Sequence, residues 1–136
     1  MPAGYSGTPL PQKLGIKPGH QVLLVNAPAD FESELVPFPE DVRLLTADQT
    51  DMDVILAFFS SAAELQAGFA TLAGSLKQNG GLWVCWPKKA SGVKSDLSDN
   101  VVRAIGLEAG LVDNKGCAVT EIWSGLRFVY RLRDRK

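Results

Sequence analysis

Residues 53–87 read DVILAFF, then SSAAELQAGFATLAGSLKQ, then NGGLWVCWP. In the first segment Val54, Ile55, Leu56, Ala57, Phe58 and Phe59 are continuously apolar. Such a run predicts a strand covered on both faces, because a strand with one wet face would alternate. In the second segment Ser61 and Glu64 form a capping box, in which each side chain satisfies a free backbone N–H. Leu65, Phe69, Leu72 and Leu76 then recur on one stripe at helical spacing. Asn79-Gly80-Gly81 should stop this helix. A further strand should run from Gly81 to Trp86 and end at Pro87. A buried strand, a helix and a second buried strand predict a right-handed parallel crossover, the repeating unit of an α/β sheet.

Upstream, Val22 to Val25 are again continuously apolar, and Pro18-Gly19 is a turn that launches a strand over Gln21 to Asn26. Ala29 to Val36 reads as a short helix with Asp30 near its start, ended by Pro37 and Pro39. Val42 to Leu45 is a short strand. Residues 1–20 are rich in Gly and Pro and read as an arm, with one helical turn near Gln12 to Leu14.

Downstream, residues 88–95 form a lysine-bearing loop. A helix should start near Asp96, bury Leu97, Val101 and Ile105, and close at Gly110. A hairpin should follow, with Cys117 to Trp123 meeting Leu126 to Leu132 across Ser124-Gly125. Its second arm alternates, with Leu126, Phe128, Tyr130 and Leu132 on one face and Arg127, Arg131 and Arg133 on the other. The expected fold is a three-layer Rossmann-like α/β domain over residues 1–136. Its sheet of about six strands is mostly parallel and ends in an antiparallel hairpin.

The 136-residue chain is long enough to bury a core without disulfides or a structural metal. Its 14 basic and 15 acidic residues give a net charge of −1, which is no nucleic-acid signature. The charge is uneven. Residues 29–53 hold eight acids against Arg43 alone, and residues 77–94 hold four lysines and no acid. No apolar run approaches the ~20 residues that span a bilayer, so no membrane partner is expected. Met1 to Leu10 lacks the basic and apolar regions of a signal peptide. Cys85 and Cys117 are isolated thiols that suit a reducing cytosol, which makes a cytoplasmic location the expectation. With His20 as the sole histidine, no metal site is visible.

Two groups of motifs carry a family resemblance. One is Gly4-Tyr5-Ser6-Gly7-Thr8-Pro9-Leu10 with Lys13-Leu14-Gly15-Ile16-Lys17-Pro18-Gly19. The other is Trp86-Pro87-Lys88-Lys89-Ala90-Ser91-Gly92 with Gly110 to Lys115 and Trp123 to Arg127. Together they resemble a bacterial domain-of-unknown-function family, number three thousand and fifty-two, which implies no activity. More distantly, the chain is similar to class I S-adenosylmethionine-dependent methyltransferases. The shared features are the Leu14 to Gly19 approach to the first strand, Asp53 before a central strand, Gly80-Gly81 before the next and a closing hairpin. That resemblance implies a methyltransferase-like strand order. The glycine-rich cofactor turn of those enzymes is replaced here by Asn26-Ala27-Pro28-Ala29, and one strand-helix unit is missing.

Open α/β sheets bind ligands outside the carboxyl ends of their strands, where the strand order switches. This rule selects Asn26, Ala27 and Pro28, Ser60 and Ser61, and Trp86 to Gly92. Lys88 and Lys89 sit at a strand end, Ser91-Gly92 offers backbone donors, and the next helix points its positive end that way. A solvated loop is the ordinary reading of such charge, and an anion site is the sharper one. Tyr5, Ser6 and Thr8 lie on an arm that either folds over the same strand ends or frays. The candidate ligand-binding residues are therefore Tyr5, Ser6, Asn26, Ser60, Trp86, Lys88, Lys89, Ser91 and Gly92. Trp86 and Trp123 are packing residues or ligand stackers. Asn114, Lys115 and Arg127 line the site or are exposed hairpin residues. Asp51 and Asp53 are turn residues or a carboxylate pair. Cys85 lies in an apolar strand, and neither cysteine has a histidine beside it, so no catalytic residue is assigned.

The expectation is a non-catalytic module that binds a small anionic ligand or a protein partner. The alternatives are a minimal S-adenosylmethionine-dependent enzyme and a homo-oligomer paired through the last strand. The cofactor and the oligomeric state stay open.

Overall fold

The computed structural model describes residues 9–29, 31–46 and 50–135. Its strands are β1 (Gln21–Val25), β2 (Arg43–Leu45), β3 (Met52–Phe58), β4 (Leu76–Pro87), β5 (Leu111–Ala118) and β6 (Trp123–Tyr130). They form one sheet in the order β2-β1-β3-β4-β6-β5. The pairs β2–β1, β1–β3 and β3–β4 are parallel, and β4–β6 and β6–β5 are antiparallel. Within this sheet β6 thus runs against the other five. Strand order reverses beside β1, which places the switch point between the carboxyl ends of β1 and β3.

The buried runs do what their composition predicts. Ile55, Leu56, Ala57, Leu82, Trp83, Val84 and Cys85 are completely buried, because β3 and β4 are covered on both faces. One face carries α2 (Ala62–Ser75) and α3 (Asp99–Glu108), whose Leu65, Phe69, Val102 and Ile105 pack on Leu82, Val84 and Phe128. The Tyr130 hydroxyl donates to the Ala73 carbonyl and ties β6 to the last turn of α2. The other face is covered more thinly. Leu14 and Ile16, just past the single-turn α1 (Leu10–Lys13), pack there with Phe31 and Leu35 on Val54, Leu56, Phe58 and Trp83. The Trp83 indole N–H donates to the Leu14 carbonyl at 2.9 Å, pinning the arm to the sheet.

Four details correct the sequence reading. First, the helix expected over Ala29 to Val36 is a 3₁₀ segment, Phe31–Leu35. Pro37 stops it before an α-helix can propagate.

Second, α2 ends at Ser75, and Leu76 already pairs with Met52. Asn79-Gly80-Gly81 is therefore part of β4, in an irregularity where the register jumps from Met52–Leu76 to Val54–Gly81. A Cβ on Gly80 would lie 2.8 Å from the Asp53 carbonyl oxygen, so glycine there permits close backbone approach.

Third, α3 starts at Asp99, capped by the Ser98 hydroxyl, which accepts from the Val101 N–H at 3.3 Å. Asp96 instead accepts from the Ala62 N–H at 2.8 Å and caps α2. Gly110, at φ 99°, closes α3 as expected.

Fourth, the hairpin turns over residues 119–122, where the Thr120 hydroxyl accepts from the N–H groups of Ile122 and Trp123. Ser124 and Gly125 lie inside β6, and Leu132 lies beyond it, 79% exposed. Because β6 is paired on both sides, it offers no edge to a second copy.

Candidate functional site

The carboxyl edge of the sheet gathers most of the residues that the switch-point rule selects. After β1 the chain turns at Asn26, which adopts φ 57°. Asparagine tolerates this left-handed conformation better than other residues with a Cβ. The glycine-free turn therefore still has a left-handed backbone. After β3 come Ser60, exposed, and Ser61, whose hydroxyl accepts from the Glu64 N–H at 3.4 Å. With Asp96 on the Ala62 N–H, the first turn of α2 is capped by this protein's own side chains.

Lys88 continues from β4. Its N–H donates to the Ile122 carbonyl at 2.7 Å. Its carbonyl accepts from the Ser91 N–H at 3.0 Å and the Ser91 hydroxyl at 2.6 Å. The Gly92 N–H donates to the Lys89 carbonyl at 3.4 Å, with Gly92 at φ 80°. The two N–H groups read as donors to an anion thus close the loop's own turn. Lys88 is half-buried and Lys89 exposed, and they remain the cationic groups of this loop end. Trp86 is 7% exposed and packs in the core on the α2–α3 face, where its rim borders a cavity of about 550 Å³. Trp123 packs edge-to-face on Phe58 with ring centroids 5.1 Å apart. Tyr5, Ser6 and Thr8 lie outside the described residues, as do Asp30 and Asp48.

Cys85 and Cys117 both face Gly125 across the ladder, in one row over three strands. Two strand spacings separate their backbones by about 9–10 Å, beyond the ~7 Å that a disulfide can bridge. Burial pushes the Cys85 thiol well above its usual pKa. Burial raises Cys117 too, but Lys13, Lys115 and Lys88 pull it back. Among the described residues, no three His, Cys, Asp or Glu side chains are placed to hold a metal ion. No helix among them is long and apolar enough to cross a membrane.

The opposite edge of the sheet was not selected from sequence. There a cavity of about 390 Å³ opens between the arm and the thinly covered face. Its walls include Lys13, Lys17, His20, Asp53, Lys115 and Arg127. The Lys115 ammonium donates to the Lys13 carbonyl at 3.0 Å, a second tie between arm and sheet. His20 Nδ1 accepts from the Lys17 N–H at 3.1 Å. A neutral ring bonded in this way carries its proton on Nε2. Asp53 accepts from the Gln21 N–H at 2.8 Å and pairs with the Lys77 ammonium at 3.1 Å, so it joins β1 to β3 and forms no carboxylate pair with Asp51. Arg127 is half-buried and donates to Asn114 Oδ1 at 3.4 Å. Burial and the nearby Arg135 cation both lower its pKa. The alternation in β6 put Arg127 on the correct face, but nothing in the sequence joined it to Lys13 or His20.

No family model matches the chain, and no curated protein matches it. Solved structures do match its fold. A possible exported protein from Bordetella parapertussis superposes with a TM-score of 0.65 at 12% identity, over 88% of this chain and 64% of that one. A SAM-dependent methyltransferase from Aquifex aeolicus gives a TM-score of 0.60 at 17% identity, over 86% of this chain and 85% of that one. The mitomycin 7-O-methyltransferase MmcR gives 0.63 at 12% identity, over 95% of this chain and 51% of that one. The chain therefore spans less than two thirds of the first and third of these proteins. At such identities the likeness is one of architecture. The chain has a methyltransferase-like Rossmann fold with a six-stranded mixed sheet.

Proposed function

We propose that this protein is a non-catalytic Rossmann-like binding module that takes a small anionic ligand at the carboxyl edge of its sheet. The anchoring of Lys88 is the observation that carries this reading. Three hydrogen bonds fix its backbone at the end of β4, one strand from the switch point. A lysine whose backbone is held in this way loses less freedom on meeting an anion than one on a loose loop. Asn26 and Ser60 stand at the neighbouring strand ends, and Lys89 adds a second charge. A protein partner with an acidic surface would use the same two lysines. Membership of the domain-of-unknown-function family and a cytoplasmic location, which suits the two free thiols, belong to the same proposal.

Calorimetric titration with ATP as the anionic probe, on the wild type and on the double variant Lys88→Ala/Lys89→Ala, tests the reading. Loss of about tenfold in affinity, 1.4 kcal/mol, supports it. Equal affinities in the two proteins overturn it.

One observation favours a second reading, a minimal S-adenosylmethionine-dependent enzyme. Asn26 gives the turn after β1 a left-handed backbone without glycine. Titration with S-adenosylmethionine separates the two readings. Micromolar binding, about −8 kcal/mol, would move the search to methyl acceptors. Silence to about 1 mM would leave the non-catalytic module.

A further inference from the structure

We propose that the cavity of about 390 Å³ at the amino edge of the sheet is a second anion site, for a small molecule with a phosphoryl group or several carboxylates. It lies at the opposite ends of the strands from Lys88, so it stands apart from the site proposed above.

Charge is the first argument. Lys13, Lys17, Lys115 and Arg127 line the cavity against one carboxylate, Asp53. Both oxygens of that carboxylate are engaged, one by the Gln21 N–H and one by Lys77. The arginine is the second argument. A guanidinium has five N–H donors in a planar fork that matches an oxyanion. The hydrogen bond of Arg127 to Asn114 reaches a neutral acceptor, and no carboxylate among the described residues lies within ion-pair distance of it. The fold treats Arg103 differently. That arginine also borders a cavity, and it pairs with Asp113 at 3.0 Å.

Construction of the floor is the third argument. Arg127 lies across Gly81, where a Cβ would come within 2.3 Å of its Nε and 2.6 Å of its Cζ. Any side chain at position 81 would displace the guanidinium. The walls are held as well, by Trp83 on Leu14 and Lys115 on Lys13. The Nε2–H of His20 adds a donor that an oxyanion accepts. Desolvation and Arg135 both work against the Arg127 cation, and the charge of a bound oxyanion would offset them.

Calorimetry with inorganic pyrophosphate and, separately, with citrate tests the site. Both probes carry the required charge, and the tighter of the two identifies the phosphoryl or the carboxylate source. Arg127→Ala should weaken binding at least about tenfold, 1.4 kcal/mol. Gly81→Ala keeps every charge and should weaken binding by displacing the guanidinium. The binding that Arg127→Ala loses should persist in Lys88→Ala/Lys89→Ala. Should Arg127→Ala fail to fold, amide chemical shifts of the wild type decide. Pyrophosphate-dependent shifts at Gly81, Asn114 and Lys115 support the site, and shifts confined to residues 88–92 overturn it. It is also overturned if neither probe binds at about 1 mM, or if both Arg127→Ala and Gly81→Ala bind normally.

Discussion

At the carboxyl edge, Lys88 and Lys89 stand on a loop whose backbone donors close its own turn, and the first turn of α2 is capped by Ser61 and Asp96. At the amino edge, Arg127 and Lys115 stand on neighbouring strands β6 and β5, over a glycine floor and under a pinned arm. Both edges carry positive charge. At the first, the backbone dipoles that could assist an anion are used within the protein. At the second, Arg127 and Lys115 face each other on paired strands, and Lys13 and Lys17 come from the arm. Rigid elements place functional groups more closely than loops do. The difference is that the carboxyl edge offers an anion two ammonium groups with its turn donors already used, while the amino edge offers an arginine that no carboxylate among the described residues pairs with.

The largest test of this contrast is Trp83→Ala. Trp83 is completely buried and its indole holds Leu14. Its removal should cost about 3–5 kcal/mol in urea unfolding. It should also detach the arm from the amino edge while leaving the Lys88 turn intact. Pyrophosphate binding that survives in the folded variant would show that the arm is no wall of the cavity.

Gly106→Ala is the next largest. A Cβ there would come within 2.1 Å of the Phe128 ring, so α3 must move off the sheet. The expected cost is about 1–3 kcal/mol, read by the same unfolding curve. Because α3 lies on the face away from the cavity, pyrophosphate affinity should hold. This variant separates lost stability from a lost site.

Asp96→Ala addresses the carboxyl edge. It removes a cap from α2 and should cost about 1 kcal/mol. Unchanged stability would mean that the first turn of α2 does not depend on Asp96.

The smallest expected effect is on Cys117. Thiolate is the reactive form, and Lys13 and Lys115 lower the pKa of this thiol. An anion bound between those lysines would offset their charge and raise the pKa. Alkylation of Cys117 at fixed pH should then slow about twofold with saturating pyrophosphate. For the free protein the rate should climb with pH through a value above the usual thiol pKa. Cys85, completely buried, should stay unmodified in the folded state.

The sequence alone was enough for many of the features set by neighbours along the chain, though not for the end of α2 or the start of α3. Continuous apolar runs specified the covered strands β1, β3 and β4. The Ser61 cap and the Leu65–Phe69–Leu72 stripe specified α2, and Gly110 specified the end of α3. Period-two alternation set the faces of Leu126, Arg127 and Phe128. These signals are local because helix caps and side-chain periods involve residues a few positions apart. Other features needed the folded chain. The hairpin turns at residues 119–122, and Gly125 lies inside β6, where a Cβ would meet Val119 at 2.9 Å and Trp83 at 3.1 Å. Asp96 caps a helix that starts 34 residues before it. Trp83 holds Leu14 across 69 residues, and Lys115 holds Lys13 across 102. The amino-edge cavity consists of such distant pairings. A residue's type and periodicity state which face it occupies, but not which residues from elsewhere share that face. Only the docking of the arm on the sheet brought Lys13, His20 and Arg127 around one space.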